Sequence, residues 1–433
     1  MRACILTWGC QLNHHKSEEI AGVLAAAGFS IVEKPEEADV ILLNTCMVRQ
    51  KSEDKVVSRV AELSRLKRER SVLIGVGGCM PQGRGSQLFS LCPTADFLFG
   101  TTGLRYLPEL IQRAQRGERI AFIPEPTGLE YLPILRKSSF QAYVTIAEGC
   151  SHSCAYCVIP KVRGPLRSRP MGEILAEVEE LAQKGYMEIT LLGQNVDAYG
   201  LDLHDGTSFA GLLRRIGKID IPRVRFTSSH PAYMTEEVIS VLAEEKNICE
   251  HVHLAVQSGS DRVLRAMRRG YTREQFLALV ERLRRAIPAL NITTDLIVGF
   301  PTEEERDFEE TLSLIEEVRF GTVYVAAYSP RPNTPAEALG DPVSKGEKAR
   351  RLQEVLNLAR KIALELHQER VGQTVEVLVE EHLPEKGMVI GKTRDFRTVL
   401  ATGGPELVGT LVEVEVSGAT PAALLGGVKE PVL

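Results

Sequence analysis

The sequence predicts an α/β protein of three consecutive units, and two observations lead to this fold class. In the first two units, apolar runs alternate with charged helical stretches, which is typical of parallel strands covered by helices on both faces. After Val371 the pattern changes to short alternating strands separated by glycines, which predicts a small antiparallel β-barrel. A chain of 433 residues with 44% hydrophobic residues has room for about three domains.

The first unit, residues 1–134, is predicted to be a parallel-sheet α/β domain. Its strands are the apolar runs ACILTW, DVILLN and SVLIGV. Ser17 is a suitable N-cap for a first helix that ends near Gly28, and a charged helix is expected from about Glu53 to Arg68.

The second unit, residues 135–370, repeats this alternation on a larger scale and ends in one long helix, residues 345–369. Six strand candidates are two short of a closed eight-fold barrel, so we expect an open, partial (βα)6 barrel. The candidates are QAYVTIA, EITLLG, RVRFTSS, HVHLAV, ITTDLIVG and TVYVAAYS. In the third unit, residues 371–433, four alternating strands and the tail PAALLGGVKEPVL are expected to close the small barrel.

Composition excludes several classes of protein. No apolar run reaches the ~18 residues that span a bilayer, and the first residues lack a signal-peptide pattern, so we expect a cytoplasmic protein without membrane contact. A net charge of −5 means that any nucleic-acid binding depends on local basic faces. Nine cysteines, an odd number, do not make a disulfide scaffold and indicate metal or redox chemistry.

The clearest chemical signal is the segment EGCSHSCAYCVIP, which places Cys150, Cys154 and Cys157 in a C-x3-C-x2-C array after the first strand of the second unit. Three thiolates so close in sequence favour a [4Fe–4S] cluster with one iron left open for chemistry. The alternative is a zinc site with His152 as fourth ligand, although a ligand between two others makes tetrahedral binding awkward.

A second set of cysteines is dispersed. Cys10, Cys46 and Cys79 each follow one of the three predicted strands of the first unit. Because ligands collect at the carboxyl ends of parallel strands, the three thiols are expected at one edge of the sheet, where they would hold a second cluster. The alternative is that each is a small buried hydrophobe. The remaining three cysteines lack this placement and are interpreted as structural; they are Cys4, Cys92 and Cys249.

These motifs resemble the methylthiotransferase family of radical S-adenosylmethionine enzymes. TWGCQLNHHKSE, NTCMVRQKSEDKV and GVGGCMPQ resemble its three amino-terminal cysteine segments. EGCSHSCAYCVIPKVRG, LLGQNVDAYG, RFTSSHP, HLAVQSGSDRVLRAM, TDLIVGFPTE and YSPRPNTPA resemble its radical domain in order, and the terminal barrel resembles a TRAM domain, an RNA-binding module. The resemblance covers essentially the whole chain.

The resemblance implies two [4Fe–4S] clusters and S-adenosylmethionine as cofactors. One S-adenosylmethionine methylates a sulfur on the cluster at Cys10, Cys46 and Cys79. A second is cleaved at the Cys150 loop, and the radical takes hydrogen from carbon 2 of an N6-isopentenylated adenine beside the tRNA anticodon, to which the methylthio group is transferred. The expected partners are the tRNA anticodon stem-loop and an external electron donor, and the expected state is a monomer.

Other members of the family remain as alternatives. Residues 163–170, RGPLRSRP, are closer to the branch that modifies an aspartate of a ribosomal protein, and His14-His15 are unusual. Three segments, around Gln11, Asn44 and Gln194, favour the isopentenyladenosine branch. A branch that acts on N6-threonylcarbamoyladenosine in tRNA shares the substrate class. A non-catalytic metal-containing RNA-binding protein is the alternative of a different kind.

Further site residues are predicted from their positions. Residues at the carboxyl ends of the barrel strands, and Tyr156 in the cysteine loop, are candidates to bind S-adenosylmethionine or substrate. They are Tyr156, Gly193, Gln194, Ser228, Gln257, Ser258 and Gly299. Basic residues near the cysteine loop and the fourth strand, with two in the third unit, are candidate RNA contacts, although solvated faces would look the same. They are Lys161, Arg163, Arg167, Arg169, Arg268, Arg269, Lys392 and Arg394.

Overall fold

The amino-terminal region forms one parallel sheet. In the computed structural model, which describes residues 1–48 and 50–431, its six strands lie in the order β2-β1-β3-β4-β5-β6. They are β1 (Arg2–Thr7), β2 (Ser30–Val32), β3 (Val40–Thr45), β4 (Leu73–Gly78), β5 (Phe97–Phe99) and β6 (Ile120–Phe122). The three predicted strands are β1, β3 and β4, which are neighbours in the sheet. The predicted fold class of this unit is confirmed.

Helices cover both faces of this sheet. They are α1 (Gln11–Ala26), α2 (Gln50–Glu69), α3 (Cys79–Arg84), α4 (Leu88–Leu91) and α5 (Leu107–Gln115). The prediction that α1 begins at Ser17 is wrong. Its first residue is Gln11, and the Ser17 hydroxyl instead bonds with Thr7 Oγ1 at 2.7 Å and accepts from Asn44 Nδ2 at 3.0 Å. The side chain predicted to cap the helix therefore joins it to the strands.

The central region contains the six predicted parallel strands and one short antiparallel pair, β8 with β9. The strands are β7 (Gln141–Thr145), β8 (Ala147–Glu148), β9 (Arg167–Ser168), β10 (Glu188–Leu192), β11 (Arg223–Phe226), β12 (His251–His253), β13 (Asn291–Val298) and β14 (Thr322–Ala327). They form two three-stranded sheets, β11-β10-β7 and β12-β13-β14, which are joined by single bridges such as Val224 with Ile248. The result is the expected open, partial barrel.

Helices separate these strands along the chain. They are α6 (Ile159–Arg163), α7 (Met171–Gln183), α8 (Phe209–Ile216), α9 (Glu236–Glu244), α10 (Asp261–Ala266), α11 (Arg273–Ala286), α12 (Glu305–Val318) and the long α13 (Lys345–Gln368). The start of α11 is fixed by a reciprocal capping box between Thr272 and Gln275. Within the two described ranges, the structure contains no helix that is long and apolar enough to cross a membrane.

The carboxy-terminal region is a closed five-stranded barrel in the order β15-β16-β17-β19-β18. The strands are β15 (Thr374–Leu383), β16 (Met388–Thr393), β17 (Thr398–Thr402), β18 (Leu411–Ala419) and β19 (Leu424–Pro431). All neighbouring pairs are antiparallel except β17 with β19, which is parallel. Alternate inward valines such as Val412, Val414 and Val416 fill the interior.

The small barrel packs on the amino ends of the central strands. Arg223 at the start of β11 is fully buried and donates to the Lys392 carbonyl at 2.8 Å. Arg225 donates to the Arg394 and Thr393 carbonyls at 2.6 and 2.7 Å. The Phe396 ring stacks on His251 at 4.6 Å. The barrel therefore covers the end of the central unit opposite to the carboxyl ends of its strands.

Candidate metal centres

The dispersed cysteines converge on one edge of the amino-terminal sheet. Cys10, Cys46 and Cys79 follow β1, β3 and β4, three adjacent parallel strands. Cys46 and Cys79 are buried, whereas Cys10 is exposed. Gly78 reaches φ +90°, and a Cβ there would lie 2.8 Å from the Thr45 carbonyl, so only glycine allows the chain to turn this closely into Cys79.

One asparagine fixes the loops that carry these cysteines. Asn13 Nδ2 donates to the Trp8 carbonyl at 2.8 Å and to the Thr45 carbonyl at 3.1 Å. Asn44 Nδ2 returns a bond of 2.8 Å to the Asn13 carbonyl. Because these bonds join the segments before Cys10 and Cys46, they set the spacing of the two thiols. Sequence analysis did not assign Asn13 a role, since its importance depends on the crossing of two loops.

The Cys150 loop lies at the carboxyl end of β7, in the central unit. Its backbone is held from three sides. Cys150 N donates to the Gly164 carbonyl at 3.1 Å, Ala155 N to the Met267 carbonyl at 2.9 Å, and Ala336 N to the Ala155 carbonyl at 2.8 Å. A loop tied to α6, α10 and the segment after β14 can present three thiols in a fixed arrangement.

Neither cysteine set has the spacing of a single-metal site. Zinc–sulfur bonds of about 2.3 Å place tetrahedral sulfurs within about 4 Å of one another. Over the described ranges, the one group of three possible ligands within 4.8 Å is His152, Cys154 and His230. A zinc ion there would leave Cys150 and Cys157 unused. Three thiolates are instead the ligand set that an iron–sulfur cluster with one open iron takes.

Burial keeps the ligand-free thiols protonated. It raises the pKa of Cys157 to about 12 and that of Cys46 to about 12, and the pKa of Cys79 and Cys150 also lies above its ordinary value because of burial. Such thiols are inert as free nucleophiles at neutral pH, and a bound metal would displace their protons. Burial likewise raises the pKa of Cys4, Cys92 and Cys249 to about 11, so position rather than pKa distinguishes the two cysteine sets.

Each cysteine set has one buried arginine, and this contradicts two predicted RNA contacts. Arg269 is 4% exposed, and its Nη1 donates to Cys154 Sγ at 3.2 Å. Arg163 is 2% exposed, and its charge opposes the raised pKa of Cys79. Its Nη2 donates to Asn13 Oδ1 at 2.8 Å. The predictions that Arg163 and Arg269 contact RNA phosphates are therefore wrong, because both guanidinium groups face the interior.

The two cysteine sets are brought together by α6. Val158 and Val162, just beyond Cys157, pack in one apolar cluster with Met47 and Cys79 of the amino-terminal unit. Thr101 Oγ1 also donates to the Val162 carbonyl at 2.8 Å. A second link is the buried ion pair of Arg331 with Glu53 at 2.6 Å, which joins the segment after β14 to α2. The carboxyl ends of the amino-terminal strands and those of the central strands thus meet at one interface.

Unpaired polar atoms gather beside the Cys150 loop. Gln194 Oε1, Asn195 Oδ1, Ser229 Oγ, His152 Nε2 and His230 Nε2 are buried without a partner in the described structure. Asn195 and His152 also line a cavity of about 220 Å³ together with Cys150. Buried polar atoms are normally hydrogen-bonded, so this group fits a polar ligand such as S-adenosylmethionine.

A buried carboxyl group adjoins the same cavity. Both Asp197 oxygens accept from His230 N, at 3.1 and 3.0 Å, and burial raises the pKa of Asp197 to about 8. Burial and the charge of Arg269 lower the pKa of His230 to about 2. The two side chains are thus largely neutral at pH 7. Both lie within motifs quoted above, yet their burial could not be inferred from sequence spacing.

The other predicted cofactor residues differ in their placement. Gly193, Ser228 and Gln257 lie at the carboxyl ends of β10, β11 and β12, and the last two have φ of +64° and +75°. Tyr156 OH accepts from Arg269 Nη1 at 3.4 Å. Ser258 is fully buried, and its hydroxyl accepts from Ser260 N at 3.2 Å, so its place in a cofactor site stays a prediction.

Gly299 serves a turn. Its φ is +69°, a Cβ there would lie 2.5 Å from Lys348 Cγ, and its N–H donates to Glu303 Oε1 at 2.6 Å. These contacts explain the glycine without a ligand, because the turn brings the chain against α13.

Four further basic residues are used within the fold. Arg167 donates to the Pro126 carbonyl at 2.7 Å, and Arg169 pairs with Glu177 at 2.7 Å. Lys392 donates to Thr398 Oγ1 at 2.7 Å, and Arg394 pairs with Glu250 at 2.9 Å. These bonds engage their charges within the protein, and the RNA predictions for these four half-buried residues stay predictions. They are Arg167, Arg169, Lys392 and Arg394. Lys161 and Arg268 are exposed and stay predictions.

Comparisons with known proteins agree with this architecture. Residues 2–100 match the Uncharacterized protein family UPF0004, residues 144–315 the Radical SAM superfamily and residues 368–429 the TRAM domain. The radical S-adenosylmethionine methyltransferase TsrM from Kitasatospora setae, solved with tryptophan and a SAM analog, has a TM-score of 0.58 over 88% of this chain and 79% of its own. At 14% identity this similarity shows the fold alone.

Two curated relatives match nearly the whole chain. The tRNA-2-methylthio-N(6)-dimethylallyladenosine synthase of Carboxydothermus hydrogenoformans is 46% identical over 95% of this chain and 96% of its own. The protein of the same name from Thermotoga petrophila is 43% identical over 99% of this chain and 97% of its own. Identity of this extent, together with the shared order of the three units, establishes that the chain belongs to the family of the tRNA-2-methylthio-N(6)-dimethylallyladenosine synthases.

Proposed function

We propose that this protein adds a methylthio group to carbon 2 of N6-isopentenyladenosine (the dimethylallyladenosine of the relatives' name) next to the tRNA anticodon. The observation that carries the proposal is the shared interface of the two cysteine sets, each at the carboxyl ends of parallel strands. Two centres that face each other suit a reaction in which one activates a C–H bond and the other supplies sulfur. The names of the relatives support the substrate.

In this proposal, Cys150, Cys154 and Cys157 hold a [4Fe–4S] cluster with one open iron, and Cys10, Cys46 and Cys79 hold a second. When bound, the first cluster and S-adenosylmethionine supply a carbon-centred radical, and the second cluster supplies the sulfur. The protein itself binds and orients. The unpaired Gln194 and Asn195 oxygens are suited to accept hydrogen bonds from S-adenosylmethionine, and Gly193, Ser228, Gln257 and Tyr156 are proposed to line its site.

The work is proposed to be divided among the three units. Residues 1–134 hold the sulfur-donating cluster, residues 135–370 bind S-adenosylmethionine, and residues 371–433 form the TRAM-like barrel. Lys161 and Arg268, both exposed, are proposed to contact the anticodon stem-loop. The proposal also includes an external electron donor, a monomeric protein and a cytoplasmic location.

The test compares substrates side by side. Reconstituted protein, S-adenosylmethionine and a reductant are incubated with an isopentenylated anticodon stem-loop, a threonylcarbamoyl-adenosine stem-loop, and a peptide carrying the ribosomal protein aspartate. We expect methylthiolation of the isopentenylated RNA alone, detected by mass spectrometry of nucleosides and peptide. Modification of only one of the other two substrates would reject the proposed substrate while keeping the reaction class. An isopentenylated RNA left unmodified by protein that still cleaves S-adenosylmethionine would also reject it.

A further inference from the structure

Two buried arginines have no carboxylate partner. Arg269 donates to Cys154 Sγ at 3.2 Å and to the neutral Ala255 carbonyl at 2.6 Å. Arg163 donates to the neutral amide oxygen of Asn13 at 2.8 Å, and its Nη1 has no hydrogen-bond partner among the described residues. Within residues 1–48 and 50–431, neither forms an ion pair shorter than 4.0 Å with an acidic side chain. Other buried arginines do so, for example Arg331 with Glu53.

A buried positive charge without a counter-charge is strongly unfavourable, because burial removes its hydration. The charge of buried Glu148 also acts on Arg163, but Glu148 already pairs with Lys16 at 2.5 Å, and the other anions that these arginines can meet are the thiolates. Arg269 reaches Cys154, and the charge of Arg163 lies beside Cys79 and Cys10. One guanidinium is therefore assigned to each cysteine set, and the cysteines add negative charge beside it when a bound centre deprotonates them.

Arg163 also joins the two sets. It ends α6, which begins just after Cys157, yet its side chain enters the amino-terminal unit and contacts Asn13, the residue that fixes the Cys10 and Cys46 loops. The residue that supports the second cysteine set thus comes from the loop of the first. An exposed RNA contact would not need this path through the interior.

We propose that Arg269 and Arg163 are positioning residues, each of which compensates the negative charge of one iron–sulfur cluster and raises its reduction potential. This inference rests on the proposed pair of clusters. A cation and N–H donors beside cluster sulfurs favour the reduced state, which carries one more negative charge, and so make reduction easier. Arg269 acts on the Cys150 cluster, and Arg163 acts on the Cys79 cluster.

The experiment measures the potential of each cluster alone in the full chain. Replacing Cys10, Cys46 and Cys79 together with Ala leaves the Cys150 cluster, and the corresponding triple replacement of the Cys150 loop leaves the other. Arg269→Gln and Arg163→Gln are introduced into both backgrounds, and midpoint potentials are read by redox titration with electron paramagnetic resonance. Arg269→Gln should shift only the Cys150 cluster to more negative potential, and Arg163→Gln only the Cys79 cluster.

The chain offers a matched control for each arginine. Arg268→Gln removes the exposed neighbour of Arg269, and Lys161→Gln removes an exposed charge on the same helix as Arg163. Both controls should leave the potentials unchanged. Binding of an anticodon stem-loop should show the opposite pattern. The two control variants should weaken this salt-dependent binding, because they remove exposed charges, whereas the variants of the buried arginines should not, because these do not contact phosphate.

Arg269→Lys and Arg163→Lys keep the positive charge and so distinguish loss of charge from misfolding. If a Gln variant loses iron while the Lys variant keeps both iron and potential, the charge supports the cluster as proposed. Any of three results would overturn the inference: the potentials stay unchanged in both Gln variants, the controls shift as much as the Gln variants, or the Lys variants lose iron. Failure of the proposed pair of clusters would be visible earlier, because one triple-cysteine background would then contain no cluster before any arginine is changed.

Discussion

Asp197 is the residue whose ionisation depends most clearly on burial. Its folded pKa of about 8 lies above the ordinary value of 3.8, so the folded protein holds a proton that the unfolded chain releases. The stability that this proton provides is complete below about pH 4 and is lost as the pH rises to about 8. The carboxylate form is disfavoured because burial removes its water.

Asp197→Asn should therefore be more stable than the natural protein at pH 8, and its advantage should be smaller at pH 6. The expected difference between the two pH values is about 2 kcal/mol, since one pKa unit corresponds to about 1.4 kcal/mol. Urea unfolding of the reconstituted protein at both pH values measures it. An advantage that stays the same at pH 6 and pH 8 would show that Asp197 does not titrate in this range.

Residue chemistry explains which residue positions could be predicted. Cys10, Cys46 and Cys79 could be placed together from sequence, because each directly follows a recognisable strand and parallel strands share an edge. The direction of Arg163 and Arg269 could not be predicted, because a basic run has the same letters whether its side chains meet water or a thiol. Arg163 is buried because α6 packs on the amino-terminal unit, and Arg269 is buried because α10 packs on the Cys150 loop.

At the scale of elements, α1 depends on an interior glycine, although glycine has a low helix propensity. A Cβ on Gly22 would lie 2.0 Å from the Pro133 carbonyl oxygen and 2.4 Å from its carbon. The helix therefore packs directly against the backbone of the segment that leads to the central unit. Only the absence of a side chain permits this approach.

Gly22→Ala should lower the free energy of unfolding by about 1–3 kcal/mol, because overpacking against rigid backbone exceeds the gain of about 1 kcal/mol in helix propensity. Gly172→Ala in α7 is the matched control, since a Cβ there meets nothing within 4 Å and should not destabilise. Urea unfolding curves of both variants measure the difference. Equal stability of the two variants would contradict the close packing of α1.

Element prediction failed where local signals were weak. The strands β2, β5 and β6 have three residues each, too few for a visible pattern, and they extend the sheet at its two edges by pairing with β1, β4 and β5, respectively. Conversely, β12 is also three residues long but was predicted, because it lies within the apolar run HVHLAV. The start of α1 was missed because Cys10 precedes it without a side-chain cap.

At the scale of the whole molecule, the small barrel is anchored by the turn around Phe396 together with contacts of β15, such as the pair of Glu376 with Arg223 at 2.7 Å. Phe396 stacks on His251, and the charges of Arg225 and Lys392 lie 5.3 and 4.8 Å from its ring. Three of the five basic residues of the region, Lys392, Arg394 and Arg397, face these internal contacts. The barrel therefore has little positive charge left to bind RNA. Its resemblance to a TRAM domain does not show that most of its basic residues face the central unit.

Phe396→Ala should destabilise the docking of the barrel by about 2 kcal/mol, through lost aromatic and cation–π contacts. Phe396→Gly should cost less than Ala, because φ at this position is +67° and glycine adopts it without strain. Limited proteolysis between α13 and β15, with urea unfolding, detects the change. If the Ala variant resists protease as well as the natural protein does, the turn is not the anchor.

The separation of the cysteines into two units leads to the last prediction. Cys46 lies in the amino-terminal sheet, whereas the Cys150 loop is held by contacts within the central unit. Cys46→Ala should therefore abolish methylthiolation of RNA but spare cleavage of S-adenosylmethionine to 5′-deoxyadenosine. Cys92→Ala, another buried cysteine of the same unit but away from the strand ends, should keep both reactions. Chromatography of both products decides the matter. Loss of 5′-deoxyadenosine in Cys46→Ala, with the iron of the Cys150 loop intact, would show that the two centres cannot act separately.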